Sequence, residues 1–136
     1  MLQMLNLEII TPRRLLVNEE VEMVEARGEL GEFGILPGHI KFLTTIEIGE
    51  IRYVKDGKTR HIFTGGGFGE VVDDKVTLLL DTAEFAEEID VERAKETAKW
   101  AESSLKEISF DSAEYLMLQL ALYRAIMRIS VASKKL

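Results

Sequence analysis

The residues whose types and spacing point to chemistry are arginines near the end of the chain. Arg124 and Arg128 stand four positions apart, so on a helix they share one face. Arg93 belongs to the earlier run Ile89-Asp90-Val91-Glu92-Arg93-Ala94. If the chain folds back near residue 109 or 110, Arg93 comes level with about residue 126, between the other two. Three guanidiniums then converge beside Asp90 and Glu84. Such a cluster binds anions, a nucleotide phosphate for example, through forked, charge-assisted hydrogen bonds. The plainer reading has Asp90 capping a helix, with Asp90 and Glu92 paired to nearby arginines. A third use is contact with an acidic protein surface. Spacing alone leaves these open.

Covalent and metal chemistry find little material. There is no cysteine, and two histidines, His39 and His61, are too few for an all-histidine metal centre. No Ser/His/Asp set and no paired-carboxylate spacing distinguishes itself, so the chain is not expected to be an enzyme. Gly28, Gly31, Gly34 and Gly38 recur through GELGEFGILPGH, and Gly65-Gly66-Gly67 follows a strand pattern. Phosphate loops place such glycines before a helix and end in a GK[ST] run, which neither stretch does. These glycines read as bulges and tight turns in a crowded sheet. His39 reads as a turn residue, Glu32 as a solvated loop carboxylate and His61 as a surface strand position. Trp100 reads as a packing residue against the sheet or a partner.

The elements that position these residues fall into two halves. Up to about residue 84 the period is that of strands: Leu5, Leu7 and Ile9 alternate with polar partners, as do Val21 with Met23 and Ile51 with Tyr53. Asp56-Gly57 and Asp73-Asp74 sit between apolar runs as two-residue hairpin turns, and Pro37-Gly38 matches a type II turn. All glycines and prolines lie at or before Gly69. Beyond that, residues 90–107 and 111–133 read as helices joined by about three residues. Asp90 is the expected first cap. Asp111 with Glu114 forms the expected capping box, with Phe110 and Tyr115 as its staple. The seam should bring Ala94, Ala98 and Ala101 to Ala113, Ala121 and Ala125. Alanine favours helix but buries little surface, so this hairpin must lean on the sheet or on a partner. The expected fold is α+β: an N-terminal β-sandwich or flattened barrel over residues 1–86, then an antiparallel two-helix hairpin over 87–136.

The net charge of −7 argues against a nucleic-acid partner. It averages two unlike parts. The first 114 residues carry −11, and the last 22, with Arg124, Arg128, Lys134 and Lys135 and no acid, carry +4. Met1 to Ile10 lacks the pattern of a signal peptide. The apolar run Leu116 to Tyr123, interrupted by Gln119, is expected to be too short to span a bilayer.

Four segments together resemble one family: GELGEFGILPGH at 28–39, GGGF at 65–68, DKVTLLLDTAE at 74–84 and IDVERA at 89–94, with RISVA at 128–132 near the end. The chain is similar over essentially its whole length to the ε subunit of the F-type ATP synthase. That resemblance implies a non-catalytic subunit of the central stalk, or rotor, of a proton-translocating complex. Its sandwich docks on the γ subunit and the membrane-embedded c ring, with Glu32 and His39 on the c-ring side. Its helices regulate: folded they permit turnover, and extended towards the α and β subunits they inhibit ATP hydrolysis. No cofactor is required. Some members take ATP as a regulatory ligand, and the matching positions here are Glu84, Asp90, Arg93, Arg124 and Arg128. Tyr123 and Met127 stand beside these arginines, where either alters the pocket. The implied location is peripheral, on the cytoplasmic face of a bacterial inner (plasma) membrane through the complex, or alternatively on a plastid thylakoid membrane. Two other classes compete: a free-standing nucleotide-sensing sandwich and hairpin, and a small β-sandwich enzyme.

Overall fold

A computed structural model describes residues 3–135; Met1, Leu2 and Leu136, which the expected segments 1–86 and 87–136 include, lie outside the described residues. The alternating apolar residues form ten strands in two sheets. The first sheet takes β1 (Leu5–Ile10), β2 (Leu15–Val21), β5 (Phe42–Ile46), β8 (Gly67–Val72) and β9 (Lys75–Leu80) in the order β2-β1-β9-β8-β5. The second takes β3 (Met23–Gly28), β4 (Gly31–Ile35), β6 (Gly49–Lys55), β7 (Lys58–Thr64) and β10 (Ala83–Phe85) in the order β10-β7-β6-β3-β4. Pairing is antiparallel except between β1 and β9, which run parallel. Leu5, Leu7 and Ile9 of β1 face Ile51, Tyr53 and Ile62 of the second sheet within one buried core. Two stacked sheets, not a closed barrel, bury the period-2 faces.

The turns behave as their residues demand. Asp56 and Gly57 both have positive φ (52° and 73°), as do Asp73 and Asp74 (48° and 62°), the backbone of a tight hairpin that aspartate tolerates. Gly38 has φ of 86°, and the His39 N–H closes the turn on the Leu36 carbonyl at 3.1 Å. Val21 and Met23 lie on different strands, because the chain bends at Glu22. Gly67 is required by proximity: a β-carbon there would sit 2.0 Å from the Leu79 carbonyl oxygen.

Two helices follow, α1 (Val91–Leu105) and α2 (Ala113–Ala132). Asp90 caps α1, its carboxylate accepting the Arg93 N–H at 3.0 Å. The second cap differs from the expected one. Ser112 accepts the Tyr115 N–H at 3.2 Å, while Asp111 takes the Ser109 hydroxyl in the turn before it. With the cap one residue later, Phe110 is not in the staple position and stands 81% exposed. The connection spans Lys106 to Ser112, seven residues instead of three. Along the seam Ala94, Ala101 and Ala125 are buried and Ala98 and Ala121 half-buried, but Ala113 is exposed near the loop. Trp100 is 60% exposed on the outer face of α1, so it does not pack on the sheet. By length and composition α2 meets the requirement for a membrane span, with a mean hydropathy of 1.2. The expectation of a run too short is thus corrected: the eight-residue run continues into a 20-residue helix whose alanines and isoleucines dilute Arg124 and Arg128.

Gly67→Ala should destabilise the sandwich by about 1–3 kcal/mol, the cost of forcing a side chain into filled space. Urea denaturation of the full chain measures this, and a loss below about 0.5 kcal/mol, the range of neutral surface changes, contradicts it.

Candidate functional site

The site grows from one row of residues across three strands. Register places Glu84 of β10 opposite Phe63 of β7, and Phe63 opposite Glu50 of β6. All three project from the sheet face away from the sandwich core, since their neighbour Ile62 points inward. Phe63 is nevertheless fully buried, because the hairpin covers it. It clusters with Ala86, Ile89, Val131 and Ala132, and Met127 packs against that group. The Arg128 Nε donates to Glu84 at 2.7 Å while its guanidinium lies 4.4 Å over the Phe63 ring. At the other end of the row Lys134 Nζ donates to Glu50 at 2.9 Å. Glu50 also accepts from Arg52 at 2.6 Å and lies 3.2 Å from His61 Nδ1, and only 6% of its side chain is exposed. Burial pushes the Glu50 carboxyl up, but the hydrogen bonds from Lys134 and Arg52 outweigh it and hold the group below the usual range.

The strap between sandwich and hairpin is clamped from the first sheet. Thr11 Oγ1 accepts the N–H groups of Arg13 and Arg14, each at 3.2 Å, and so pins the β1–β2 turn. From that turn Arg14 forks onto Glu88 at 2.8 and 3.0 Å and also reaches the Ala83 carbonyl at 3.2 Å. Glu88 accepts the Phe85 N–H as well, and the Arg14 hydrogen bond chiefly holds its carboxyl below the usual range.

Between turn, strap and hairpin root opens a cavity of about 790 Å³, within the range of small-molecule sites. Thr11, Arg13 and Arg14 line it from the first sheet, Asp81 to Glu84 from the strap, and Asp90, Arg93, Thr97 and Arg128 from the helices. Arg14 and Arg128 are engaged by carboxylates. Arg93 and Arg13 form no ion pair among the described residues. The cap of α1 borders the same space: Asp90 and Arg93 line it, and Asp90 already takes the Arg93 and Ala94 N–H groups through its carboxylate and carbonyl.

Of the five residues expected to gather at the hairpin's open end, Glu84, Asp90, Arg93 and Arg128 line this cavity, and Arg124 does not. Four positions advance a helix slightly beyond one turn, so Arg124 lies about 6 Å nearer the closed end and turned aside. Met127 packs with the Phe63 cluster, away from the pocket. Glu32 and His39 stand apart from it. Glu32 lies 3.5 Å from Arg52, and His39 bonds the Ile40 carbonyl through Nδ1 at 2.8 Å and meets the Phe42 ring edge-on. His61 is less exposed than its alternation suggests, with 19% of its side chain accessible beside Glu50, which also takes Lys134 from the hairpin tail.

Three further features escaped sequence reasoning. Arg13 and Arg14, a basic pair after a proline, carried no spacing signal, because Arg14 finds Glu88 and Ala83, and Arg13 its cavity, some 70 residues further along the chain. Glu50 and Lys134 likewise meet only in space. The third is an apolar row on the outer face of the first sheet, where register sets exposed Phe68 beside exposed Leu79, Leu79 beside half-buried Ile10, and Ile10 beside exposed Leu15. Its signal is the run Leu78-Leu79-Leu80, because in a strand three consecutive leucines cannot all face inward.

A β-sandwich that carries a two-helix arm, with a basic cavity at the joint, defines the class of protein. Comparison with known proteins gives the particular one. The β-sandwich domain of the ATP synthase delta/epsilon chain matches residues 4–86, and the long alpha-helix domain of the same chain matches residues 87–133. The ATP synthase epsilon chain of Geobacter sulfurreducens is 46% identical over 134 residues, covering 98% of this chain and 97% of that one. That of Nitratidesulfovibrio vulgaris (strain DP4) is 46% identical over 127 residues, covering 93% and 94%. A chain of the Euglena gracilis mitochondrial ATP synthase, in a structure of its OSCP/F1/c-ring, shares the fold with a TM-score of 0.80 at 24% identity, covering 97% and 82%. A chain from the central stalk/c-ring of the Tetrahymena thermophila enzyme gives 0.58 at 12%, covering 97% and 96%. The chain belongs to the ATP synthase delta/epsilon family, as an epsilon-type subunit and not a catalytic one.

The Glu50 contacts predict an acid-sensitive dock. A carboxyl whose pKa is depressed on folding adds stability that is full above the ordinary value of about 4.5 and lost as pH falls through the folded value. The melting temperature of the full chain should therefore drop as pH is lowered below 4.5, and Glu50→Gln should flatten that drop. Thermal scans by circular dichroism decide it: parallel pH profiles for the two proteins refute the assignment.

Proposed function

We propose that this subunit is a two-state regulator in the central stalk of an F-type ATP synthase. Residues 1–86 form the docking module, which meets the γ subunit and the c ring, with Glu32 and His39 towards the ring. The apolar row of Phe68, Leu79, Ile10 and Leu15 supports this division, since apolar surface of that kind marks a protein contact. Residues 87–136 form the regulatory arm. Folded, as here, the arm leaves ATP hydrolysis free; extended towards the α and β subunits, it inhibits, with its basic end against acidic surface. ATP is the ligand that favours the folded arm, held by Arg93 and Arg128 with Asp90 and Glu84 as ordering partners. Arg124, outside the cavity in this state, belongs to the arm's basic contact surface. The relatives' bacterial sources support a peripheral place on the cytoplasmic face of the inner membrane.

One observation carries this reading: Arg93 faces the cavity with no ion pair among the described residues. A nucleotide phosphate supplies the partner that this guanidinium lacks. Control by ATP requires that it bind the folded arm better than the extended one. Driving the arm from 1:99 to 99:1 takes about 5.5 kcal/mol of that difference.

Arg93→Ala should weaken ATP binding to the isolated chain by about tenfold, the value of a charge-assisted hydrogen bond. Calorimetric titration reads this directly, and an unchanged affinity removes the site. A chain ended after Ala86 keeps the sandwich core, which includes no helical residue. It should still assemble with the γ subunit while ATP hydrolysis by the complex rises. If the shortened chain fails to assemble, the division of labour is wrong.

A further inference from the structure

The cavity has two walls of different origin. On the hairpin wall stand Arg93 and the start of α1. On the sandwich wall the turn between β1 and β2 presents Arg13. That turn is built to hold a fixed position: Pro12 restricts it, Thr11 Oγ1 takes two of its N–H groups, and Arg14 anchors it to Glu88 and Ala83. Arg13 is left out of this anchoring. Its side chain is exposed, lines the cavity and forms no ion pair among the described residues. The acids around the cavity are already engaged. Glu84 holds Arg128, Asp90 caps α1 and Asp81 accepts the Thr82 N–H. Two unpaired guanidiniums, one from each domain, therefore face one space.

We infer that Arg13 is a phosphate ligand of the nucleotide site, so that a bound nucleoside triphosphate bridges the sandwich and the hairpin. This rests on the ATP-binding reading above and extends it to a residue outside the helical arm. A single phosphate offers its oxyanions at one point. A triphosphate carries separated anionic groups, which satisfy Arg93 at one end of its chain and Arg13 at the other. The consequence is mechanical. Extension of the arm carries Arg93 away from Arg13, so a ligand held by both is lost on extension, and its binding energy opposes that movement. Discrimination between triphosphate and monophosphate follows from the same geometry.

The test uses the full chain with ATP and AMP as probes in calorimetric titrations. Arg13→Ala should lower affinity for ATP by about tenfold, as expected for one charge-assisted contact, and leave affinity for AMP unchanged. Arg13→Lys should recover part of the ATP affinity. The ATP-induced rise in melting temperature should shrink in Arg13→Ala, while the melting temperature without ligand stays at that of the unsubstituted chain. If the unsubstituted chain binds ATP and Arg13→Ala binds it equally well, the role of Arg13 is overturned and the nucleotide site stands. If ATP and AMP weaken in parallel, Arg13 does not read the phosphate chain and the bridge is likewise overturned. If the unsubstituted chain takes no ATP at all, both readings fall together.

Discussion

The row Glu84–Phe63–Glu50 is where this protein's two halves become one structure. Three strands present an acid, an aromatic ring and an acid side by side on the outer face of the second sheet. The end of the second helix and its tail answer with Arg128, Val131 and Lys134, spaced three apart. The guanidinium takes the first acid and covers the ring, the valine fills against the ring, and the ammonium takes the second acid. An apolar centre between two charged contacts fixes both the position and the direction of the helix. Shifting the helix by one turn would move both cations off their acids.

That small contact matters because the arm has so little else. Its seam is alanine, which forms helix readily and removes little apolar surface from water. Larger apolar residues of α2, including Leu116, Met117 and Ile126, stay exposed. The sandwich, in contrast, holds a core of leucine, isoleucine and valine contributed by both sheets, without help from either helix. The molecule thus joins a self-sufficient body to a dependent arm through a small apolar cluster flanked by two ion pairs. Polar contacts of this kind exchange readily for water or for a partner's surface, whereas a buried core does not. The cavity lies at the same joint, so whatever enters it acts on the weakest connection in the chain.

Much of the fold was legible because its signals are local. Asp56-Gly57 and Asp73-Asp74 set hairpins through their own φ angles, and Asp90 caps a helix through a neighbour three residues on. Local rules failed where two options lay adjacent. Asp111 and Ser112 are both good caps, and the choice of Ser112 moved the helix start and released Phe110 to solvent. They failed again where a strand is covered on both faces. Phe63 stands one position beyond the core residue Ile62, as a surface residue would, and only the arriving hairpin buries it.

The arginine cluster shows the same division at finer scale. Helical spacing placed Arg93 and Arg128 at one level, and the structure brings them to one cavity with Glu84 and Asp90. Spacing alone could not separate Arg128 from Arg124, since both share a face in projection; the cavity takes Arg128 and leaves Arg124, one turn nearer the closed end, outside. By itself the sequence determined the two architectures, their junction near residue 85 and the basic end of an acidic chain, all properties set within a few residues of backbone. Only the tertiary structure decided which charges meet: Arg14 with Glu88, Lys134 with Glu50, and Arg13 across from Arg93. Those pairs join residues from 74 to 84 positions apart. No periodicity reaches that far, so their meeting depends on how two sheets stack and where a helix comes to rest.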